Sequence, residues 1–428
     1  MLTQLHQWIG LCLSVTIGAT IALSGVYCAM TAAALALRRF RPARAPLPCD
    51  ALLPSVTVQI PTYNELAALN CAQCCLDFDY PHDKLQILIG DDSSQAPVSR
   101  EIDEFARQHP VVRVCRRGGN QGFKPGNLNN MLRETTGDYI LILDSDFLPA
   151  RDFLRRLTAP AAADPSLAGV QASWRVANAR QSLSALMGTG IINVIHVVIL
   201  PLLKRWAGTS LFCGSAELVR RDLLVRHGGW TPGALTEDVD YSLRLLAGGE
   251  RILFLEDLTC QCEAPHTPRD LFRQQMRWAY GVMRAIMNHG RRLMASAFAP
   301  RRAKAAVACF CGGYIMVALM FAAFMLGLLN FATAWPWAGE LVAREAWSLA
   351  QNILLTCGMM VSAMCAGLAT GFGARTMVKL AAASFTIGLG LLFFVCKGLL
   401  KAALGLPMHW FMLKKNGNGA RLAAAPTA

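Results

Sequence analysis

The stretch YILILDSD, residues Tyr139–Asp146, joins five apolar residues to an acid–serine–acid turn. Its apolar part has the length and composition of a buried strand. Asp144 and Asp146 stand at i and i+2 after that strand, so both carboxylates can reach one divalent cation. A pair with this spacing also occurs in ordinary solvated turns. The stretch alone therefore predicts a buried strand that ends in an acidic loop.

Further β-rich runs lie on either side of this strand. They are Val56–Ile60, Gln86–Ile89, Val111–Cys115, Gly169–Ala172 and Ile252–Leu255. Helical stretches separate several of them, and this alternation predicts a mostly parallel α/β sheet. Ligands of such sheets bind beyond the carboxyl ends of the strands. The polar motifs of this chain stand at those ends.

The composition of the 428-residue chain is that of a membrane protein with a soluble part. Hydrophobic residues make up 54% and charged residues 16%, whereas soluble domains carry about 25% charge. The net charge of +13 is too diffuse to indicate a nucleic-acid surface, but it suits a protein held against anionic lipid. The 15 cysteines lack the paired spacing of a zinc site, so they are interpreted as small apolar residues in a reducing compartment.

Four apolar runs are long enough to cross a bilayer. The first, residues 8–37, has no charged residue and exceeds a signal-peptide core in length, so it predicts an uncleaved spanning helix. The others are residues 304–333, 349–371 and 377–402. If the apolar stretch 186–203 also crossed the bilayer, it would separate the acidic motifs on either side of it. It is therefore interpreted as an interfacial or buried helix.

Basic and aromatic residues predict the orientation of these spans. A basic cluster places the chain after the first span in the cytoplasm: Arg38, Arg39, Arg41 and Arg44. Tryptophans typical of a membrane interface follow the second span: Trp335, Trp337 and Trp347. Four spans would put the C-terminus outside, whereas the basic residues of the tail favour the inside: Lys414, Lys415 and Arg421. The sequence leaves this conflict open.

Two polar motifs end the first two predicted strands. The first strand runs into PTYNE, in which Thr62, Tyr63 and Glu65 are candidates to hold a nucleotide base and ribose. The second is followed by Asp91 and Asp92, and a carboxylate there can accept hydrogen bonds from a nucleobase edge. Polar turns without a function have the same composition, so each motif is weak when taken alone.

A third acidic motif, Thr236-Glu237-Asp238, lies far along the chain. A carboxylate here suits a general base, which takes a proton from a hydroxyl while that oxygen attacks. Helix capping by Thr236 would account for the same residues. The motif therefore predicts a base, a capped helix, or both together.

The motif QQMRW covers residues 274–278. On a helix, Gln274, Arg277 and Trp278 stand at i, i+3 and i+4 and share one face. An arginine can clamp a diphosphate through two hydrogen bonds, and a tryptophan offers a flat apolar surface to a sugar ring. A membrane-surface helix with an aromatic anchor would show the same pattern.

Two smaller motifs agree with these. Lys124, in the sequence KPGN between two predicted strands, is available to a phosphate. Phe212, Cys213 and Gly214 belong to the apolar turn FCGS, which can border an acceptor. Both motifs lie between strands, where the loops of an α/β sheet carry binding residues.

The order of these motifs strongly resembles that of membrane-bound family 2 glycosyltransferases: PTYNE, DD, KPGN, DSD, FCGS, TED and QQMRW. Cellulose, mannan, hyaluronan and poly-N-acetylglucosamine synthases belong to this group. The resemblance covers residues 55–290, and the flanking spans fit it as well. The sequence CEAP at 262–265, followed by FRQQ and RWA, is most similar to glucan and mannan enzymes of the cellulose-synthase type. Pro125 and Ser93 depart from the usual family residues, and neither change removes a functional group.

The resemblance implies a GT-A fold, an α/β Rossmann-like cytoplasmic catalytic domain flanked by transmembrane helices in the plasma (inner) membrane. It implies an inverting single displacement, with Asp238 as the base and Mg²⁺ or Mn²⁺ held by Asp144 and Asp146. The UDP- or GDP-sugar donor would contact Thr62, Tyr63, Glu65, Asp91, Asp92, Lys124, Asp144, Gln274 and Arg277. The acceptor would border Phe212, Cys213, Gly214, Glu237 and Trp278.

The predicted enzyme is a processive hexosyltransferase that extends a β-linked polysaccharide and moves it across the membrane. Transfer of one sugar to a lipid acceptor is the alternative. A non-catalytic membrane subunit is a third hypothesis, against which the retained aspartates argue. UDP-glucose, UDP-N-acetylglucosamine and GDP-mannose all remain open as donors.

The predicted organisation has three parts. Residues 1–44 form the first span with its basic segment, 45–300 the catalytic domain, and 301–428 about three further helices with a short tail. Predicted partners are the donor, a polysaccharide or lipid acceptor, membrane lipids, and export or accessory subunits. No nucleic acid is expected to bind.

Overall fold

The computed structural model describes residues 2–38, 47–333 and 339–413. Some residues that predict the orientation in the membrane lie outside these ranges. They are Arg39, Arg41, Arg44, Trp335, Trp337, Lys414, Lys415 and Arg421.

Within these ranges, seven strands form one sheet at the centre of the soluble part. They are β1 (Val56–Thr62), β2 (Leu85–Asp91), β3 (Val112–Cys115), β4 (Tyr139–Ile142), β5 (Leu167–Val176), β6 (Glu217–Arg220) and β7 (Arg251–Cys262). Their order across the sheet is β3-β2-β1-β4-β6-β5-β7. Only β6 among them pairs antiparallel with its neighbours. All six predicted runs form strands. The seventh strand, β6, was not predicted because its sequence, ELVR, has charged ends and no apolar run.

Helices precede, connect and follow these strands. They are α1 (Leu2–Leu37), α2 (Ala67–Leu76), α3 (Ala96–Gln108), α4 (Phe123–Leu132), α5 (Phe153–Ala163), α6 (Leu183–Asn193), α7 (Leu200–Ala207), α8 (Arg221–Arg226), α9 (Glu237–Ala247), α10 (Pro268–Ala295), α11 (Arg301–Thr333), α12 (Gly339–Thr356), α13 (Gly358–Ala369) and α14 (Ala374–Ala403). A π-helical turn, Val194–Ile199, joins α6 to α7. The alternation of strands and helices up to β5 confirms the predicted α/β class.

The central strands are buried on both faces, as expected of parallel strands covered by helices. Val58, Ile87 and Leu141 on one face, and Leu88 and Ile142 on the other, have no exposed surface. Burying each such side chain contributes about 1.5–3 kcal/mol. These apolar runs therefore hold the sheet in register and present their polar ends at one edge.

The strand order places a switch point between β1 and β4. The chain moves outward from β1 to β2 and β3, then returns to β4 on the other side of β1. A crevice opens at such a reversal, beyond the carboxyl ends of the strands. Thr62 ends β1, and Asp144 lies two residues past the end of β4, so the two motifs meet at this crevice.

Several helices have the length and apolar character of membrane spans. They are Thr3–Leu37, Leu183–Ala207, Arg301–Thr333 and Ala374–Ala403, to which a bent helix pair adds a fifth candidate. The apolar window of Leu183–Ala207 is 78% buried within the protein, so this stretch is packed inside the protein, and its place as an interfacial or buried helix stays a prediction. Thr3–Leu37, Arg301–Thr333 and Ala374–Ala403 have only 11%, 6% and 22% of their apolar windows buried within the protein, and the chain is therefore membrane-associated.

The stretch predicted as one span at 349–371 is bent. Helical segments 350–356 and 358–369 meet at 51°. Gly358 stands at the bend and donates its backbone N–H to Ser24 Oγ on α1, at 2.7 Å. A Cβ on Gly358 would lie 2.3 Å from that oxygen. The close packing of α1 against this glycine accompanies the bend.

Candidate active site

A cavity of about 200 Å³ lies at the carboxyl edge of the sheet, where the loops after β1, β4 and β7 meet α9 and α10. All but one of the predicted site residues line it. They are Thr62, Tyr63, Glu65, Asp92, Lys124, Asp144, Asp146, Phe212, Cys213, Gly214, Glu237, Asp238, Gln274, Arg277 and Trp278. These residues span more than 200 positions of the chain, and the fold brings them to one concave surface.

Asp91 is the predicted residue that does not line the cavity. Its carboxylate accepts hydrogen bonds from Ser99 Oγ and Arg116 Nε, each at 2.8 Å. Burial alone would raise the Asp91 pKa, but hydrogen bonds from Ser93, and then from Ser99 and Arg116, outweigh burial and lower it. The carboxylate thus ties β2 to α3 instead of facing the cavity. Asp92, the next residue, faces the cavity and is paired with Arg117.

The PTYNE turn is held by its asparagine. Asn64 has φ +56°, a left-handed conformation that asparagine tolerates better than most residues. Its side-chain oxygen accepts the backbone N–H groups of Ser94 and Gln95, each at 3.0 Å. These bonds tie the loop after β1 to the loop after β2. Tyr63 and Glu65 are thereby placed at the cavity.

The acidic loop after β4 is anchored on three sides. The backbone N–H of Asp144 donates to Ser215 Oγ at 2.9 Å. Ser145 Oγ donates to the carboxylate of Glu65. Asp146 Oδ2 accepts the N–H of Glu263 at 3.1 Å. The loop is therefore joined to the FCGS turn, the PTYNE turn and the end of β7.

Lys124 joins two of the acidic motifs. Its ammonium lies 2.7 Å from Asp144 Oδ1 and 2.9 Å from Glu237 Oε1. It also donates to the carbonyl of Gly214. Burial lowers the pKa of a lysine, but the carboxylates of Asp144 and Glu237 more than offset it, so the Lys124 pKa is raised. Lys124 is therefore a permanent cation at this point of the cavity.

Asp238 lies in the first turn of α9, at the cavity wall. Burial, and then repulsion by Glu237, raise its pKa to about 7, although Lys124 acts in the opposite direction. A carboxylate with a pKa near neutrality is suited to act as a general base. Thr236 occupies the position before α9, but its side chain makes no capping hydrogen bond. Capping by Thr236 therefore does not account for this motif.

The FCGS turn is supported by a buried acid, Glu217, on β6. Its Oε2 accepts the backbone N–H of Gly214 at 2.8 Å and that of Cys213 at 3.2 Å. Gly214 has φ +89°, which glycine adopts most readily, and a Cβ there would lie 3.5 Å from the Asp238 carboxylate. Burial, followed by the charge of Asp238, raises the Glu217 pKa well above its usual range.

We expect Glu217→Gln to fold normally, because burial already disfavours the charged form of this side chain and an amide oxygen can accept the same two N–H groups. Glu217→Ala should lower the free energy of unfolding by about 2 kcal/mol or more, since two buried N–H groups lose their acceptor. Thermal unfolding of both variants measures this difference. Equal destabilisation by the two substitutions would contradict it.

The predicted helical face of QQMRW is present on α10. Gln274, Arg277 and Trp278 all line the cavity. The guanidinium of Arg277 lies 4.1 Å from the ring centroid of Trp410. It also donates to the carbonyl of Leu235 at 3.4 Å. The arginine is thus held at the cavity wall, where it packs against the segment that follows α14.

Several lining residues were not predicted from the sequence. They are Asn120, Asn127, Phe147, Trp174, His196, Glu263, Trp410 and Phe411. Trp174 donates its indole N–H to the carbonyl of Ser215 at 3.0 Å, so it supports the FCGS turn. The aromatic pair Trp410-Phe411 beside basic residues was a usable signal. It lies after the last predicted span, in the part of the chain to which no site residue was assigned.

Asp144 and Asp146 both line the cavity and are the residues that could hold a divalent cation. The described residues contain no group of three or more His, Cys, Asp or Glu side chains arranged for a metal ion. Mg²⁺ is usually bound through one or two carboxylates together with substrate phosphates and waters. The pair therefore fits a cation that arrives with a phosphate-bearing ligand.

Comparison with known proteins points to the same family as the sequence motifs that line this cavity. Residues 54–281 match the family model described as "Glycosyltransferase like family 2". A glucomannan 4-beta-mannosyltransferase of Arabidopsis thaliana is 31% identical over 246 residues, which cover 54% of this chain and 43% of that protein. A beta-monoglucosyldiacylglycerol synthase of Synechocystis is 29% identical over 61% of this chain and 56% of that protein. The chain thus spans about half the length of the curated relatives it matches.

A solved structure shares the fold. The mannosyltransferase of Pyrobaculum calidifontis, determined in complex with GDP-Man and Mn²⁺, superposes with a TM-score of 0.67 at 22% identity. The match covers 93% of this chain and 99% of that one. This likeness confirms the predicted GT-A architecture.

Proposed function

The chain belongs to glycosyltransferase family 2, and from that premise we propose that it transfers a sugar from a nucleotide diphosphate to a growing β-linked polysaccharide. The observation that carries the proposal is the cavity itself. Acidic loops, an arginine and a tryptophan from distant parts of the chain line one surface of about 200 Å³. The relatives named glucomannan 4-beta-mannosyltransferases make GDP-mannose the first donor to test.

Asp238 is the proposed general base. It takes the proton of an acceptor hydroxyl while that oxygen forms a bond to the anomeric carbon of the donor sugar. The bond from that carbon to the phosphate oxygen breaks, and the nucleotide diphosphate leaves with the electron pair. Attack opposite the leaving group inverts the anomeric centre. The position of Asp238 beside the acceptor-side residues Gly214 and Glu237 supports this role.

The leaving-group side of the cavity is proposed to lie at Asp144, Asp146, Lys124 and Arg277. Asp144 and Asp146 would hold Mg²⁺ or Mn²⁺, which supplies charge stabilisation to the departing diphosphate when bound. Lys124 and Arg277 supply fixed positive charge to the same oxygens. Thr62, Tyr63, Glu65 and Asp92 would border the nucleoside, with Gln274 beside the diphosphate.

The proposed orientation places this cavity on the cytoplasmic side of the plasma (inner) membrane. Arg205 contacts the carbonyl of Leu37 at the end of α1 and pairs with Glu256 at 2.9 Å. The end of α1, where the basic segment begins, therefore adjoins the catalytic part. The proposal assigns residues 45–300 to catalysis and residues 1–44 and 301–428 to the membrane, with export or accessory subunits as further partners.

Transfer of one sugar to a lipid is the second candidate. The cavity wall on the membrane side is apolar and includes Ile192, Ile195 and Val282, with Phe310 and Tyr314 from α11. A lipid acceptor could lie against such a wall. The relative named beta-monoglucosyldiacylglycerol synthase also favours this candidate.

The donor and the product are tested together. Purified protein in lipid would be incubated with GDP-mannose, UDP-glucose and UDP-N-acetylglucosamine in turn, and the released nucleotide measured. The donor that is turned over is then used with a radioactive label on its sugar. A long labelled polymer supports polysaccharide synthesis, and a single-sugar lipid establishes the second candidate. Failure to release nucleotide from any donor would contradict both.

The proposed base predicts a pH dependence. Because the Asp238 pKa is raised to about 7, most of the free enzyme below that pH carries a protonated carboxyl group that cannot accept a proton. The value of kcat/KM for nucleotide release should therefore rise with pH through about 7 and level off above it. A profile that was flat from pH 5.5 to 8 would contradict this assignment.

A further inference from the structure

Lys124 and a divalent cation would compete for the same carboxylate, that of Asp144. The lysine ammonium lies 2.7 Å from Asp144 Oδ1, and Asp144 is one of the two carboxylates proposed to hold the cation. An ammonium has three N–H donors. Those of Lys124 face Asp144, Glu237 and the carbonyl of Gly214, so all three are satisfied within the protein.

The charges around Lys124 make this arrangement stable on its own. The lysine side chain is 9% exposed and that of Glu237 is 4% exposed, so water screens the pair weakly. Asp238 and Glu217 add further acid groups nearby. Removing the ammonium would leave the buried carboxylate of Glu237, together with the partly exposed carboxylate of Asp144, without its neutralising partner. Such buried unpaired charge is unfavourable.

We infer that the Lys124 ammonium occupies the position beside Asp144 at which the divalent cation would bind. The cation therefore binds tightly only together with the donor diphosphate. A cation alone would have to bind a carboxylate already paired with an ammonium, and the two positive charges would repel. A diphosphate brings oxygens that complete the coordination of the cation and accept the N–H group that Lys124 no longer donates to Asp144. This inference rests on the proposed role of Asp144 and Asp146.

This arrangement makes the binding of cation and nucleotide interdependent. Each ligand should raise the affinity for the other by the same factor, because coupling between two binding sites is reciprocal. The lysine thereby weakens the binding of a cation to the acidic cavity when no donor is present. It also ties the proposed metal site to Glu237, the neighbour of the proposed base.

The test measures Mn²⁺ binding directly, by electron paramagnetic resonance of free Mn²⁺, with the full-length protein in detergent. Wild type should bind Mn²⁺ weakly alone and about tenfold or more tightly with saturating GDP or UDP. Lys124→Met removes the charge and keeps a flexible chain. This variant should bind Mn²⁺ alone about tenfold more tightly than wild type and show a smaller gain from the nucleotide.

Lys84→Met is the matched control. Lys84 donates to the carbonyls of Asp50, Ala51 and Leu53 and does not line the cavity. Its substitution should leave Mn²⁺ binding unchanged. If Lys124→Met does not fold, the charge-balanced variant Lys124→Met with Glu237→Gln answers the same question. It too should bind Mn²⁺ alone more tightly than wild type.

Two results would overturn the inference. One is a folded Lys124 variant that binds Mn²⁺ alone no more tightly than wild type. The other is a wild-type protein that binds Mn²⁺ equally well with and without nucleotide. Neither measurement requires sugar transfer. A protein that shows the Mn²⁺ result but turns over no donor would refute the proposed function alone, and active transfer with unchanged Mn²⁺ binding would refute this inference alone.

Discussion

Asp238→Asn should lower sugar transfer by about 10²–10⁴-fold while leaving donor binding intact, because an amide of the same shape cannot accept a proton. The substitution should not destabilise the fold. The raised pKa of Asp238 shows that burial and Glu237 already disfavour its ionised form, and a neutral amide removes that repulsion. Nucleotide release measures transfer, and titration with the donor measures binding.

Asp222→Asn is the control for this substitution. Asp222 lies on α8, where its side chain is 59% exposed and pairs with Arg220 and Arg226. Surface pairs of this kind contribute at most about 1 kcal/mol, so this variant should transfer sugar at the wild-type rate. Near-normal turnover by Asp238→Asn would show that Asp238 is not the base.

Asp146→Ala should reduce both donor binding and transfer, the latter by roughly 10²-fold or more, since a bound cation contributes several kcal/mol of charge stabilisation. Isothermal titration with GDP or UDP in the presence of Mn²⁺ measures the loss. Asp146 also accepts the backbone N–H of Glu263 at 3.1 Å. Alanine therefore removes a structural contact together with the proposed ligand.

Asp146→Asn separates the two roles of Asp146. Its amide oxygen keeps an acceptor for Glu263 but carries no charge, so the fold is retained and the cation is bound more weakly. Raised Mn²⁺ should restore part of its transfer activity, whereas Asp238→Asn should gain nothing from Mn²⁺. If Asp146→Ala kept wild-type Mn²⁺-dependent donor binding, the proposed ligand would be wrong.

Local patterns were sufficient to predict most of the sheet. Five apolar residues before Asp144 and the run before Asp91 are strands because buried parallel strands need continuous apolar side chains. The same reasoning missed β6, since a short strand with charged ends has no periodic signal. It also missed the bend at Gly358, which accompanies the packing of α1 against that glycine.

The site was predicted as a set of motifs, and the fold decides what each one faces. Asp91 and Asp92 are adjacent and identical in chemistry. Consecutive side chains at a strand end point to opposite sides, and only the structure shows that Arg116 holds the first away from the cavity. Trp410 comes to Arg277 only because α14 returns the chain to α10.

By itself, the sequence determined the elements, the chemical groups at their ends and the family they resemble, because strand and helix periods and motif order are local properties of the chain. Tertiary structure alone decided which of those groups share a cavity and which neutralise one another. Lys124 lies 20 residues from Asp144 and more than 100 from Glu237, yet it binds both. Such contacts depend on how the sheet and helices pack, and no local pattern encodes them.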